Sequence, residues 1–201
     1  GLDHGARLVA KLMPQETTQQ ADTIIAWKVR EAATEGLHVL NNSWFLQDSS
    51  SAEGRFSHTV RGAFRDYYMS NGVAVASMGN RGETGSPVQY PAAFAQGIIA
   101  VGASDHLDEI AGFSSRGNHI DVAAPGVRIL GCAPILQNTT TRYATLDGTS
   151  FAAPHVAGLA GLLFSYAELD NDDVEQLIRL SAEDLAPPAG FDSLSGMGRI
   201  N

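Results

Sequence analysis

The run Asp147-Gly148-Thr149-Ser150-Phe151-Ala152-Ala153-Pro154-His155-Val156-Ala157-Gly158 constrains this chain more than any other part of it. It opens a segment, Ser150–Tyr166, that is apolar nearly all the way round. A helix of that kind is predicted to be central and buried, so the fold needs layers on more than one side of it. Pro154 fits only near the helix start, where backbone N–H groups lack intrahelical partners. Ser150 therefore stands where a loop becomes a helix. Free N–H groups and a partial positive charge gather there, and a serine in that setting can attack a carbonyl while the N–H groups hold the developing oxyanion.

The rest of the chain supplies the other layers. Apolar runs alternate with longer amphipathic segments, which predicts an α/β fold: three layers, with a mostly parallel β-sheet flanked by helices. Strands are predicted at Arg7–Met13, Leu37–Asn42, Val73–Ser77 and Ile98–Ala103. Helices are predicted at Thr18–Glu35, Ser57–Ser70, Ser150–Tyr166 and Asp172–Ala182. Asn71-Gly72 reads as a left-handed cap, and Asp170-Asn171-Asp172-Asp173 as the cap and acidic first turn of the last helix. Residues 104–148 read as shorter strands and turns, with a turn at Gly117-Asn118. No linker or repeat divides the 201 residues, so 1–201 is read as a single domain.

Composition narrows the partners. Thirteen basic against 22 acidic residues give a net charge of −9, and no basic run offers itself to nucleic acid or an anionic membrane. No apolar stretch approaches the roughly 18 residues of a membrane span. Cys132 is alone and lies in the apolar run Val127–Ala133, so it is expected to be a buried filler rather than part of a disulfide framework.

The serine segment resembles the nucleophile segment of the subtilisin-like serine proteases, G-T-S-M-A-x-P-H-V-A-G, with Phe151 in place of Met. Further stretches match in order. Ser77-Met78-Gly79-Asn80-Arg81-Gly82 is similar to the family's A-A-G-N-x-G, and Val39-Leu40-Asn41-Asn42-Ser43-Trp44 to V-I-N-x-S-x-G. Phe113-Ser114-Ser115-Arg116-Gly117 followed by Val122-Ala123-Ala124-Pro125-Gly126 resembles F-S-x-x-G…V-x-A-P-G, and Gly196-Met197-Gly198-Arg199-Ile200-Asn201 resembles the closing G-x-G-x-I-N. The resemblance implies that Ser150 is the nucleophile and that the Asn80 amide is the second oxyanion donor. It also implies substrate contacts at Ser43, Trp44, Phe45, Met78, Gly79 and Thr149. The substrate would be a protein or peptide whose backbone pairs as an added strand after Ser43.

The family's D-T-G or D-S-G segment and its H-G-T-H-V-A-G segment do not occur here. His4-Gly5 leads into a predicted strand rather than a small-residue helix. His155 lies five residues past Ser150, about 500° round a helix, and is expected to be buried and structural. His38, His58, His106 and His119 have no motif around them. The resemblance thus implies a subtilisin-like fold in which the N-terminal strands and the catalytic-histidine helix are absent. A serine without a base is a weak nucleophile, so the chain alone is expected to be inactive. A partner is then implied: the missing N-terminal segment or another copy of the chain, at a strand edge left open. The alternative is a pseudoprotease or scaffold that keeps the fold without the chemistry. A phosphate-binding module finds no G-x-G-x-x-G or P-loop pattern.

Weaker signals complete the sequence. Phe45 stands where the family has Gly and is expected to narrow the cleft. Arg81 falls near the specificity pocket by resemblance, where it would favour an acidic side chain. Phe151 removes an oxidisable methionine from beside the nucleophile. No cofactor is expected; calcium is a family habit, but Asp105-His106-Leu107-Asp108-Glu109 lacks calcium-loop spacing and reads as a solvated turn. Asn138-Thr139-Thr140 fits a glycosylation acceptor. Secretion is implied by the resemblance alone.

Overall fold

The computed structural model describes residues 8–10, 19–47, 53–94, 96–132, 142–185 and 189–201. Four parallel strands form the central sheet: β1 (Val39–Asn42), β2 (Val73–Ser77), β3 (Ile98–Ser104) and β4 (Val122–Pro125), side by side in that order. Val39 pairs with Val73, Ala74 with Ile98, and Val101 with Val122. Strands β2 and β3 are buried throughout, as their unbroken apolar sequences require when both faces are covered.

Period-two alternation divides those strands between two cores. Ala74, Ala76, Ile98 and Ala100 face α1 (Gln19–Thr34) and α2 (His58–Met69), with Val29, Val60, Phe64 and Tyr67. Val73, Val75, Ile99 and Val101 face α3 (Thr149–Tyr166) and α4 (Asn171–Leu180), with Ala152, Val156, Val174 and Ile178. The result is the helix–sheet–helix sandwich expected from the sequence. A two-stranded antiparallel ribbon, β5 (Ile129–Cys132) with β6 (Tyr143–Leu146), stands apart from the sheet just before α3.

The helix ends follow local chemistry. Ser57 caps α2 by accepting the Val60 N–H at 3.2 Å, and Asn71 takes a left-handed φ of 67° after its last turn. Asp170 caps α4 in a reciprocal capping box with Asp173. The Gly117-Asn118 turn closes through the Ile120 N–H to Gly117 O at 3.1 Å.

Four expectations need correction. Residues 8–10 carry no strand, and Leu8 is almost fully exposed; the remainder of the strand predicted at Arg7–Met13 lies outside the described residues, as do His4 and Asn138-Thr139-Thr140. Cys132 is exposed, because the β5–β6 ribbon has one open face and Cys132 points to it. Helix α3 packs across all four strands, yet only Thr149 and the seam Ala152, Ala153, Val156 and Ala160 are fully buried; Leu162, Leu163 and Phe164 are half-buried. His155 is half-buried, with Nδ1 2.8 Å from Phe151 O on its own helix. Among the described residues, β1 has a strand neighbour on one side only.

One charged cluster lies under the sheet end. Arg179 on α4 meets Asp121 at 2.9 Å and Glu175 at 3.5 Å, and Asp121 also accepts the Ala100 N–H at 2.7 Å. Burial pushes the Glu175 carboxyl up to about 7; Arg179 opposes the rise, and the Asp121 and Asp172 charges add to it. A carboxyl raised from 4.5 makes its full contribution to stability below about pH 4.5 and loses it as pH rises through 7. Glu175→Gln should therefore match the parent near pH 5 and exceed it at pH 8 by up to roughly 3 kcal/mol. Urea unfolding at the two pH values measures this; parallel curves for parent and variant would count against it.

Candidate active site

The C-terminal end of β2 meets the N-terminus of α3. Gly148 precedes the helix with a φ of 151°, a conformation that favours glycine. It is followed by Thr149, fully buried, and Ser150, half-buried. Asn80 leaves the end of β2 and binds this turn: its Oδ1 accepts both the Thr149 N–H and the Thr149 Oγ1–H, each at 2.9 Å. Thr149 Oγ1 in turn accepts the Gly79 N–H at 3.1 Å. The Asn80 oxygen is thereby committed to the helix start, which fixes its amide Nδ2 as the outward donor. Among the described residues neither Nδ2 nor the Ser150 N–H has a hydrogen-bond partner. The two donors lie close together: a Cβ added to Gly148 would lie 3.2 Å from Nδ2 and 3.7 Å from Ser150 N. Glycine leaves this side of the turn without a side chain, so both unpartnered N–H groups stay open to an acceptor, the kind of arrangement that can hold an oxyanion.

A cavity of about 150 Å³ opens beside these donors. Ser150, Asn80, Gly79, Thr149, Ser43 and Phe45 line it, joined by Ser77, Arg81 and Gln89. Of the expected substrate contacts, Trp44 and Met78 do not line it. Met78 is turned into the core between sheet and α2, and Trp44 stacks on Phe64 with ring centroids 6.4 Å apart. Phe45, 41% exposed, forms part of the wall where a glycine would leave it open.

Gln89 was missed by the sequence reading because no motif surrounds it. Its side chain is 2% exposed, and its Oε1 is wholly buried with no hydrogen-bond partner. That oxygen packs against Gly79, where a Cβ would come within 2.0 Å of it; Gly79 also holds a φ of 100°. A side chain at position 79 would thus displace Gln89 from the cavity floor.

Ser43 has a structural duty that the sequence only half reveals. Its hydroxyl donates to Ser150 O at 2.9 Å. That carbonyl would ordinarily accept an N–H from residue 154, four positions on, but residue 154 is proline. Ser43 on the β1 side replaces the missing backbone donor and so ties the end of β1 to α3.

Among the described residues, none that lines the cavity is a histidine or carboxylate. His155 is engaged with its own helix; His38 packs on Phe164 and His58 on Phe56, with centroids 5.3 and 4.8 Å apart. No group of three or more His, Cys, Asp or Glu among the described residues is placed to hold a metal. The residues of the acidic loop do not suit calcium: Asp105 Oδ1 accepts the Leu107 and Glu109 N–H groups at 2.8 and 3.0 Å, and Asp108 pairs with Arg199 at 2.6 Å.

Comparison with known proteins gives one consistent result. Residues 2–198 match the model of the subtilase family, Peptidase_S8. The chain is 39% identical over 143 residues to a thermophilic serine proteinase of Bacillus sp. (strain AK1), covering 71% of this chain and 33% of that protein. It is 38% identical over 173 residues to subtilisin DY of Bacillus licheniformis, covering 85% of this chain and 57% of that one. The fold superposes on crystalline fervidolysin from Fervidobacterium pennivorans with a TM-score of 0.75 and 30% identity, covering 90% of this chain and 28% of that one. The chain thus spans a third to somewhat over half the length of these two sequence relatives.

The Ser43–Pro154 exchange can be measured directly. Ser43→Ala should cost about 1 kcal/mol by leaving Ser150 O without its donor. In a Pro154→Ala background the restored backbone N–H takes over, and the same change should cost close to nothing. A double-mutant cycle by urea unfolding gives the coupling; equal costs in both backgrounds would refute the exchange.

Proposed function

The chain belongs to the subtilase family of serine proteases, and we propose that it carries the nucleophile and the oxyanion site of a peptide-bond hydrolase. The base and its orienting carboxylate would come from polypeptide outside these 201 residues. The observation that carries this reading is that two unpartnered donors, Asn80 Nδ2 and the Ser150 N–H, flank Gly148 at a helix start beside the Ser150 side chain.

In the proposed reaction Ser150 Oγ attacks the carbonyl carbon of a bound peptide and its proton passes to the supplied base. The carbonyl oxygen, now negative, sits between the two donors. The base then protonates the leaving amine as the C–N bond breaks, giving an ester on Ser150. Water, deprotonated by the same base, hydrolyses the ester and releases the new carboxyl end. Thr149 and Gly79 act at one remove, by holding Asn80 and the helix start in register. A pure scaffold role would not require both donors to stay unpartnered. Substrate would pair as an added strand with the backbone that follows β1, past Ser43 and Phe45. The open edge of β1 itself is where a further segment of polypeptide would join the sheet. Secretion is proposed from family resemblance only.

The absence of a base from the cavity wall gives the reading its test. A fluorophosphonate probe should add once, on Ser150, in the native preparation from the source organism. The purified 201-residue chain should remain unlabelled and hydrolyse no peptide. Robust labelling or hydrolysis by the purified chain would remove the need for an outside base, and failure to label the native preparation would remove the nucleophile. Asn80→Asp keeps the acceptor for Thr149 and loses the donor. It should lower native turnover roughly 10²–10³-fold, as loss of this donor does in subtilisin, with little change in melting temperature.

A further inference from the structure

The selectivity of the cavity beside Ser150 can be read from its wall, on the premise of the catalytic reading above. It shares Ser150 and Asn80 with the oxyanion space. The side chain next to the attacked carbonyl, on the acyl side of the bond, is the part of a substrate that reaches it. Among the described residues that line it, Arg81 is the one ionisable residue and none is a carboxylate. Among the described residues Arg81 makes no ion pair. Glu83, two residues on, lies against Gly112 instead, where a Cβ would come within 2.8 Å of its Oε1. The backbone of Arg81 is held by its N–H to Ser115 Oγ at 3.0 Å, which fixes where its side chain leaves the loop beside the cavity. The floor is the Gln89 carboxamide, nine-tenths buried and more, with Oε1 turned against Gly79 and no hydrogen bond made. That orientation leaves Nε2 as the end able to reach the cavity.

We propose that this cavity takes an acidic side chain, glutamate or aspartate, from the residue preceding the cleaved bond. A carboxylate accepts only, and both Arg81 and Gln89 Nε2 donate. A lysine side chain would confront Arg81 with like charge. An aliphatic side chain would cover Gln89 and leave its amide without water or partner, a cost borne by any unpaired buried donor. A glutamine side chain answers Gln89 but not the charge. The order of preference is therefore Glu above Gln above Leu, with Lys last. The chain's net charge of −9 does not cancel this at contact range, because exposed charges beyond about 8 Å are screened at physiological salt.

Tetrapeptides identical except for a C-terminal Glu, Gln, Leu or Lys test the preference on the 201-residue chain by equilibrium titration, with no need for turnover. The Glu peptide should bind about tenfold tighter than the Gln peptide at low salt, the margin shrinking towards unity near 1 M salt. Arg81→Gln should abolish the Glu-over-Gln margin. Gln89→Leu should abolish the Gln-over-Leu margin and leave the Glu–Gln margin in place. No margin between Glu and Gln, a margin that survives Arg81→Gln, or no binding by any peptide would overturn the proposal. Labelling of Ser150 in the native preparation reports separately on catalysis. Labelling without a Glu preference defeats this inference alone, and a Glu preference without labelling defeats the catalytic role alone.

Discussion

The two hydrogen bonds from Thr149 to Asn80 Oδ1 are the constraint on which the rest of the site depends. They join the end of a strand to the start of a helix that lie 69 residues apart in sequence. Thr149 is fully buried, so its N–H and hydroxyl would be costly to leave unpaired. Asn80 meets both needs with one oxygen, and the planarity of its carboxamide then dictates where its nitrogen must point. A donor aimed outward is a consequence of an acceptor used inward. Preorganisation of this kind requires no motion when charge develops.

Several motifs that read as family signatures turn out to hold this junction. Ser115 donates its N–H to Gly79 O at 2.9 Å and accepts the Arg81 N–H at 3.0 Å; Gly82 donates to Phe113 O at 2.8 Å. The Phe113-Ser114-Ser115 run is thus a clamp on the backbone that carries Asn80. Gly126, after the Val122–Pro125 strand, accepts the Gly148 N–H at 2.8 Å and so anchors the turn before Thr149 from the other side. The closing segment lies along β4, with Gly198 O accepting the Ala123 N–H and the Ile200 N–H donating to Ala123 O. Residues far from Ser150 thereby fix the two loops between which it sits.

The layers were legible because burial on two faces leaves a plain mark. Val73–Ser77 and Ile98–Ser104 carry no polar alternation, and Ser57, Asn71 and Asp170 announce helix ends through their own side-chain or backbone chemistry. The meeting of Ser150 and Asn80 at one cavity was legible through their motifs. Cys132 was misread because an apolar run does not say which strand face meets solvent, and an isolated ribbon has an open one. Helix α3 was read as wholly buried because hydropathy counts side chains, while burial depends on how many neighbours surround them; its far half extends past the fully buried seam. Met78 and Trp44 are expected at the substrate by their place in a motif; the Met78 side chain is buried in the core and the half-buried Trp44 stacks on Phe64, so neither lines the cavity. Gln89 left no trace, since its role arises from where a loop between β2 and β3 folds back beneath Gly79.

Pro154 links the readable and unreadable parts. From sequence alone it marks a helix start. In the fold, the N–H it lacks leaves Ser150 O open, and the Ser43 hydroxyl fills that vacancy at 2.9 Å. The Ser43 hydroxyl also accepts from Asn41 Nδ2 at 3.1 Å, so the side chain is occupied on both counts. What the end of β1 still has to offer a substrate is its backbone, which suits recognition by strand addition and leaves side-chain selection to the cavity wall. On the proposed reading these contacts divide the labour: the end of β1 would accept a peptide main chain with little regard to sequence, and Arg81 with Gln89 would supply the chemical discrimination.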